Sequence, residues 1–119
     1  MTPSKSIIKR GDIALVLFPN SNLSSAKTRP ALVAQANNLQ TGLSQVIVAM
    51  ITSQMDRAGH PSRVTILLSS PEGQESGLLT DSVVMTDNLA TISLLAIYRV
   101  IGSLPTVELD KALKHTLGL

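Results

Sequence analysis

Six short, mainly apolar segments alternate with polar, turn-forming segments along this chain. Asn, Gly, Pro and Ser dominate the polar segments at 19–25, 36–42 and 69–77. Regularly spaced short strands are typical of a small barrel, so the pattern predicts one mainly β domain over residues 1–119. The predicted strands cover residues 12–18, 30–36, 44–51, 62–68, 81–86 and 98–103.

Two of the predicted strands do not alternate between apolar and polar residues. Residues 13–17 and 46–50 are apolar at every position, so both faces of these strands need cover. A helix can cover part of the second face, and we expect a second copy of the chain to cover the rest. The pattern therefore predicts a homodimer.

The C-terminal segment has the spacing of an amphipathic helix. Pro105 suits its first turn and Gly118 its end. The residues that define the apolar face are Leu109, Ala112, Leu113 and Leu117. The sequence predicts this helix as the main one, together with a shorter helical turn around residues 87–96.

Composition places the chain among globular, cytoplasmic proteins. Of its 119 residues 44% are hydrophobic and 15% charged, which is typical of a domain with one packed core. The chain has no cysteine, which excludes disulfides and thiolate metal sites and fits a reducing compartment. The first ten residues lack the apolar stretch of a secretory signal, and no apolar run is long enough for a membrane span.

Several kinds of site are disfavoured by the residues that the chain lacks. Phe18 and Tyr98 are the only aromatic residues, so an RNA-binding surface of stacked rings is not expected. No glycine-rich phosphate loop occurs, so no nucleotide cofactor is expected. His60 and His115 have no acidic cluster beside them, and we interpret them as surface residues without a metal. Arg10-Gly11-Asp12 is interpreted as a turn before the first strand.

Two short stretches carry candidate chemistry. Arg29 precedes Pro30 at the entrance of a predicted strand, where a guanidinium can bind a phosphate through two hydrogen bonds. Thr52-Ser53-Gln54 follows an apolar strand and supplies two hydroxyls and an amide. Taken alone, Arg29 is also typical of an exposed cation on a loop, and Thr52-Ser53-Gln54 of the polar end of a strand. Together, on adjacent strands, they predict a cleft that binds a phosphodiester.

Four sequence blocks, in this order, resemble the MazF/PemK family of toxins from bacterial type II toxin–antitoxin pairs. They are KRGDIALVLFP at 9–19, KTRPALVAQ at 27–35, VIVAMITSQ at 46–54 and DSVVMTDNLATI at 81–92. The resemblance implies an SH3-like barrel of the CcdB/PemK type with a C-terminal helix. It also implies a homodimer, a cognate antitoxin, and operator DNA reached through that antitoxin.

The resemblance further implies an activity and the residues that carry it. The family's enzymes are metal-independent endoribonucleases that cut single-stranded RNA at short sequences, with attack by the RNA 2′-hydroxyl and without a cofactor. The catalytic arginine and threonine of the family match Arg29 and Thr52. The neighbouring residues implied in RNA binding are Lys27, Thr28, Ser53 and Gln54.

Two departures from the family pattern leave alternatives open. Many relatives carry an arginine where this chain has Ala90, and the loop at 19–28 lacks His and acidic residues, although it keeps Lys27. Both losses thin the cationic surface for RNA. A catalytically degenerate relative is therefore one alternative. A CcdB-like toxin that binds gyrase is another, and it would need neither Arg29 nor Thr52.

Overall fold

A single antiparallel sheet of six strands forms the framework of the protein. The computed structural model describes residues 8–19 and 26–119. The sheet order is β4-β5-β3-β2-β1-β6, so every strand lies beside at least one antiparallel neighbour. The strands are β1 (Asp12–Pro19), β2 (Ala26–Val33), β3 (Gln45–Thr52), β4 (Arg63–Ile66), β5 (Ser82–Ser93) and β6 (Ile97–Ser103).

Two helices accompany the sheet. Helix α1 (Pro71–Glu75) is a single short turn, with Ser70 accepting a hydrogen bond from the Gly73 N–H at its start. Helix α2 (Val107–Leu117) ends at Gly118, whose φ of 72° is the left-handed conformation that favours glycine. The predicted mainly β class with a C-terminal helix is confirmed. In the part of the chain that the structure describes, no helix is long and apolar enough to span a membrane.

Each face of the sheet carries its own apolar core. Leu104 and Leu109 from the α2 region close one core, which also holds Ile13, Leu32, Ala49, Ile51, Ile66 and Val84. The other core contains Ala14, Val16, Ala31, Val33, Val46, Val48, Ile92 and Ile97. One chain therefore buries most of both faces of β1 and β3, although Leu17 on β1 is 41% exposed. Their two-faced apolar pattern consequently gives only a weak argument for a second copy of the chain.

The structure corrects the predicted course of β2 and β5. Strand β2 begins at Ala26 rather than at residue 30, so Arg29 lies inside a strand. The helical turn predicted around 87–96 is wrong, because β5 continues to Ser93 and only Leu94–Ala96 form a 3₁₀ turn. The pairing of residues 89–93 with β3 outweighs the local sequence preference for a helical turn in this segment.

The connection between β5, the loop before β4 and helix α2 runs through Thr86. Its side chain is fully buried, and its N–H and hydroxyl donate to the Ser62 carbonyl at 3.0 and 2.6 Å. The Thr116 hydroxyl of α2 lies 2.6 Å away. The register of β5 against β3 is irregular here, which frees this backbone to make these bonds.

The Arg10-Gly11-Asp12 turn attaches the start of β1 to α2. The Arg10 guanidinium lies 2.7 Å from Asp110 and donates to the Ala34 carbonyl at 3.0 Å. Gly11 adopts a φ of 94°. The interpretation of this tripeptide as a structural turn is confirmed.

Gly77 is a position where the fold tolerates no side chain. Its φ is 75°, and a Cβ would overlap the carbonyl of Ile101 on β6. We expect Gly77→Ala to lower the free energy of unfolding by about 2–4 kcal/mol, from the left-handed backbone and the overlap together. Urea denaturation measures this difference.

Gly59→Ala is the matched control, because Gly59 has a φ of 91° but open space around its Cβ position. It should lose only the backbone contribution, about 1–2 kcal/mol. Equal losses in the two variants would contradict the close approach of Gly77 to β6.

Candidate functional site

A cleft of about 450 Å³ opens where β2 and β3 stop pairing. The first half of β2, the end of β3, the loop after α1 and parts of β1 and β6 form its walls. We refer to it below as the cleft. The structure brings all six residues singled out by sequence to its lining: Lys27, Thr28, Arg29, Thr52, Ser53 and Gln54.

The register of β2 against β3 accounts for the position of Arg29 and Thr52. Pairing ends at Ala31 and Met50. Continuing the same register by two residues sets Arg29 opposite Thr52, and directly opposite residues point to the same face of a sheet. Pro30, between the last pair and Arg29, has no N–H to contribute to either neighbouring strand. The cleft thus begins where hydrogen bonding between the two strands ends.

The Thr52 hydroxyl is oriented by the chain that follows it. Thr52 is half-buried, and its Oγ1 accepts a hydrogen bond from the Gln54 N–H at 3.1 Å. One lone pair is thereby occupied, and the hydroxyl proton stays available for an acceptor in the cleft. Ser53 and Gln54 are exposed at the same strand end.

The cleft lining is cationic and contains no carboxylate. Its charged members are Lys27, Arg29 and Arg99, and no Asp, Glu or His lines it among the described residues. All three cations are exposed. Within residues 8–19 and 26–119, neither arginine of the lining has an acidic side chain within 4 Å. This charge distribution suits a polyanion.

Arg99 is a lining residue that the sequence did not indicate. It lies on β6 opposite Leu15, and β6 joins this end of the sheet only through β1. No local motif surrounds it, so only the strand order could have revealed it.

Apolar side chains form another part of the lining. Leu15, Leu78 and Ile101 lie within it, and Leu79 on the loop after α1 is 95% exposed. The close approach of Gly77 to Ile101 fixes the start of this loop. A flat, weakly polar group such as a nucleobase can lie against such a surface.

Ala90 does not belong to the cleft. Ala90 is a residue of β5 that pairs with Val48 of β3. It is half-buried and packs against the core that contains Val46 and Val48. The difference from the family pattern at this position therefore removes no side chain from the lining of this chain's cleft.

The two histidines contact each other away from the cleft. Their ring centroids are 5.9 Å apart in an edge-on arrangement, and His60 Nδ1 accepts from the Ser62 N–H at 3.0 Å. Nearby, hydrogen bonds from Arg63 hold the pKa of Asp87 below its usual value. In the described parts of the chain, no group of three or more His, Asp or Glu residues could hold a metal ion.

Comparison with known families gives one match along most of the chain. Residues 9–116 match the family described as the PemK-like, MazF-like toxin of type II toxin–antitoxin systems. None of the curated protein sequences is similar enough to this chain to count as a match.

Solved structures share the fold over nearly the whole chain. The MazF-mt6 toxin of Mycobacterium tuberculosis is 26% identical, with a TM-score of 0.69 over 91% of this chain and 97% of that one. A mycobacterial endoribonuclease in complex with its cognate antitoxin is 21% identical, with a TM-score of 0.70 over 94% and 96%. MazF in a MazE–MazF complex from Deinococcus radiodurans is 19% identical, with a TM-score of 0.70 over 95% and 98%.

Proposed function

The chain belongs to the PemK-like, MazF-like toxins of type II toxin–antitoxin systems, and on this basis we propose that it is a metal-independent endoribonuclease that cleaves single-stranded RNA. The observation that carries the proposal is the placement of Arg29 and Thr52 in one cationic cleft, which has no carboxylate among its described lining residues. A gyrase-binding toxin would need neither residue in a cleft.

The composition of the lining suggests which nucleophile reacts. Among the residues that the structure describes, the lining holds no Asp, Glu or His, the side chains that most often serve as general bases for the activation of water. A 2′-hydroxyl of RNA lies next to the phosphorus that it attacks and needs orientation more than activation. This chemistry requires RNA rather than DNA.

Each of the two residues has a role in this reaction. The 2′-oxygen forms a bond to phosphorus and the bond to the 5′-oxygen of the next nucleotide breaks. Solvent takes the proton of the 2′-hydroxyl and supplies one to the leaving oxygen. Arg29 stabilises the charge on the phosphoryl oxygens through its two-pronged guanidinium. The Thr52 hydroxyl, whose proton is not used in the hydrogen bond with Gln54, donates a hydrogen bond to the substrate and so positions the attacking 2′-hydroxyl.

A cognate antitoxin is the proposed regulator of this cleft. The similar structures include a mycobacterial endoribonuclease in complex with its cognate antitoxin and two MazE–MazF structures from Deinococcus radiodurans. For this chain, an extended segment with acidic and apolar residues would complement both the three cations and the leucine-rich wall. The homodimer stays a prediction from the family resemblance.

Replacement of Arg29 tests its catalytic role. Arg29→Ala should lower kcat by about 100-fold or more, as for the loss of one transition-state donor. Arg29→Lys should also lose most activity, because an ammonium does not reproduce the planar fork. Cleavage of an unstructured RNA followed by gel electrophoresis measures both.

Arg57→Ala is the control for this variant, since Arg57 is also exposed but does not line the cleft. It should cleave at the wild-type rate, and all three variants should keep the wild-type circular dichroism. A fully active Arg29→Ala protein would remove Arg29 from the mechanism.

The Thr52 hydroxyl is tested by two conservative substitutions. Thr52→Val keeps the shape of the side chain but removes the hydroxyl, and we expect a loss of about 100-fold in kcat. Thr52→Ser keeps the acceptor for the Gln54 N–H and should retain most of the activity. Equal rates for the valine and serine variants would show that the hydroxyl takes no part.

The nucleophile is tested on the substrate. After the cut site is mapped, a single 2′-deoxy substitution in the nucleotide on its 5′ side should abolish cleavage and leave binding nearly unchanged. The first product should end in a 2′,3′-cyclic phosphate, and EDTA should not change the rate. Cleavage of the deoxy-substituted strand at the RNA rate, or a requirement for Mg²⁺, would contradict this mechanism.

A further inference from the structure

Arg99 lies in a transverse row of residues that crosses the sheet at the cleft. Strand β1 places Leu15 opposite Arg99 on one side and opposite Pro30 on the other. These three residues share one face of the sheet, because directly opposite residues point the same way. Arg99 is therefore positioned by backbone pairing within the sheet and not by a loop.

Strand β6 is irregular beside Arg99. Ala14 pairs with Val100 and Leu15 with Arg99, but the next residue, Val16, pairs with Ile97. Tyr98 is thus left without a partner in β1. An extra residue of this kind bends a strand and changes the direction of neighbouring side chains. Residues 98–100 are all exposed, although they belong to a strand.

The guanidinium of Arg99 is available for a ligand. It is exposed, and none of the ion pairs among the described residues includes it. It lines a cleft whose other charged members among the described residues, Lys27 and Arg29, are also cations. Keeping three like charges together without a counter-charge is unfavourable in isolation, and a bound polyanion relieves it.

The side chains of Arg29 and Arg99 leave the backbone on opposite faces of the sheet. Arg29 pairs with Val16, whereas Arg99 pairs with Leu15, and successive residues of a strand point to opposite sides. The two residues are also two strand spacings apart, about 10 Å across the sheet. This arrangement favours contact with two different phosphates over joint binding of one.

We propose that Arg99 is a second phosphate-binding residue of the cleft, which holds a phosphate next to the scissile one and so positions the RNA strand across Arg29 and Thr52. The inference rests on the proposed function of the cleft. Arg99 is a positioning residue in this assignment, because it does not contact the reacting atoms. Its loss should weaken RNA binding and leave the chemical step intact.

The test compares Arg99→Gln with Arg57→Gln, which removes the same charge from an exposed arginine outside the lining. The binding probe is a fluorescein-labelled, unstructured 2′-O-methyl oligoribonucleotide, which keeps every phosphate but has no free 2′-hydroxyl. Fluorescence anisotropy gives Kd at several salt concentrations, and cleavage of the corresponding RNA gives KM and kcat.

We expect Arg99→Gln to raise Kd and KM by about 10-fold, the scale of one charged hydrogen-bonded contact, with kcat unchanged within about 2-fold. The slope of log Kd against log salt should fall by about 0.7, the value for one phosphate contact on a single strand. Arg57→Gln should match the wild type, and Arg99→Lys should recover part of the affinity.

Each other outcome has a distinct meaning. An unchanged Kd and salt slope in Arg99→Gln would overturn the assignment, as would a fall in kcat at unchanged Kd. A wild-type protein that binds the probe through Arg99 but cuts no RNA would support the phosphate site and refute the proposed ribonuclease. A wild-type protein that neither binds the probe nor cuts the corresponding RNA would overturn both.

Discussion

The antiparallel register between β2 and β3 is the constraint on which the candidate site depends. Leu32 and Ala49 are buried in one core, whereas Ala31, Val33 and Val48 are buried in the other. A slip of one residue would exchange the two sets between the faces of the sheet, where their different neighbours could not pack them equally well. The apolar contacts thus fix the register, and the same register sets Arg29 opposite Thr52 two residues farther on.

This dependence explains why a site of exposed polar groups needs no polar network to hold it. Arg29 is exposed, and Thr52 is oriented by one hydrogen bond from its own strand end. Their separation follows from strand geometry, and the strands are held by fully buried side chains such as Val48 and Ala49. Substitutions in either core should therefore act on the site through strand register, whereas substitutions of exposed polar lining residues such as Arg29 and Arg99 should leave the fold intact.

Much of the fold could be predicted from the sequence, because its signals were local. The alternation of apolar and turn segments predicted the six strands, and the spacing of Leu109 and Ala112 predicted α2. The second half of β5 was missed, since its pairing with β3 is a contact between segments distant in sequence. For the same reason, the sequence did not reveal that a single chain buries most of both faces of β1.

The candidate site, like the fold, could be predicted only where its residues form a local sequence motif. Six lining residues lie in two continuous stretches that carry recognisable motifs, and all six line the cleft. Arg99 has no motif around it, and only the order β2-β1-β6 brings it there. Ala90 illustrates the opposite case, because a motif position that suggested a loss of RNA-binding charge lies outside the lining.

The chemical character of the lining bears on how such a cleft is controlled. A guanidinium binds phosphate directly through its planar fork, and a threonine hydroxyl donates a hydrogen bond, so neither group needs activation by a further residue. The pairing of β2 with β1 also fixes the backbone position of Arg29. Control of the proposed activity therefore has to act on access to the cleft. A partner that binds the three cations and covers the leucine side chains of the lining meets this requirement. Because RNA and such a partner would compete for the same surface, RNA binding and inhibition would be mutually exclusive.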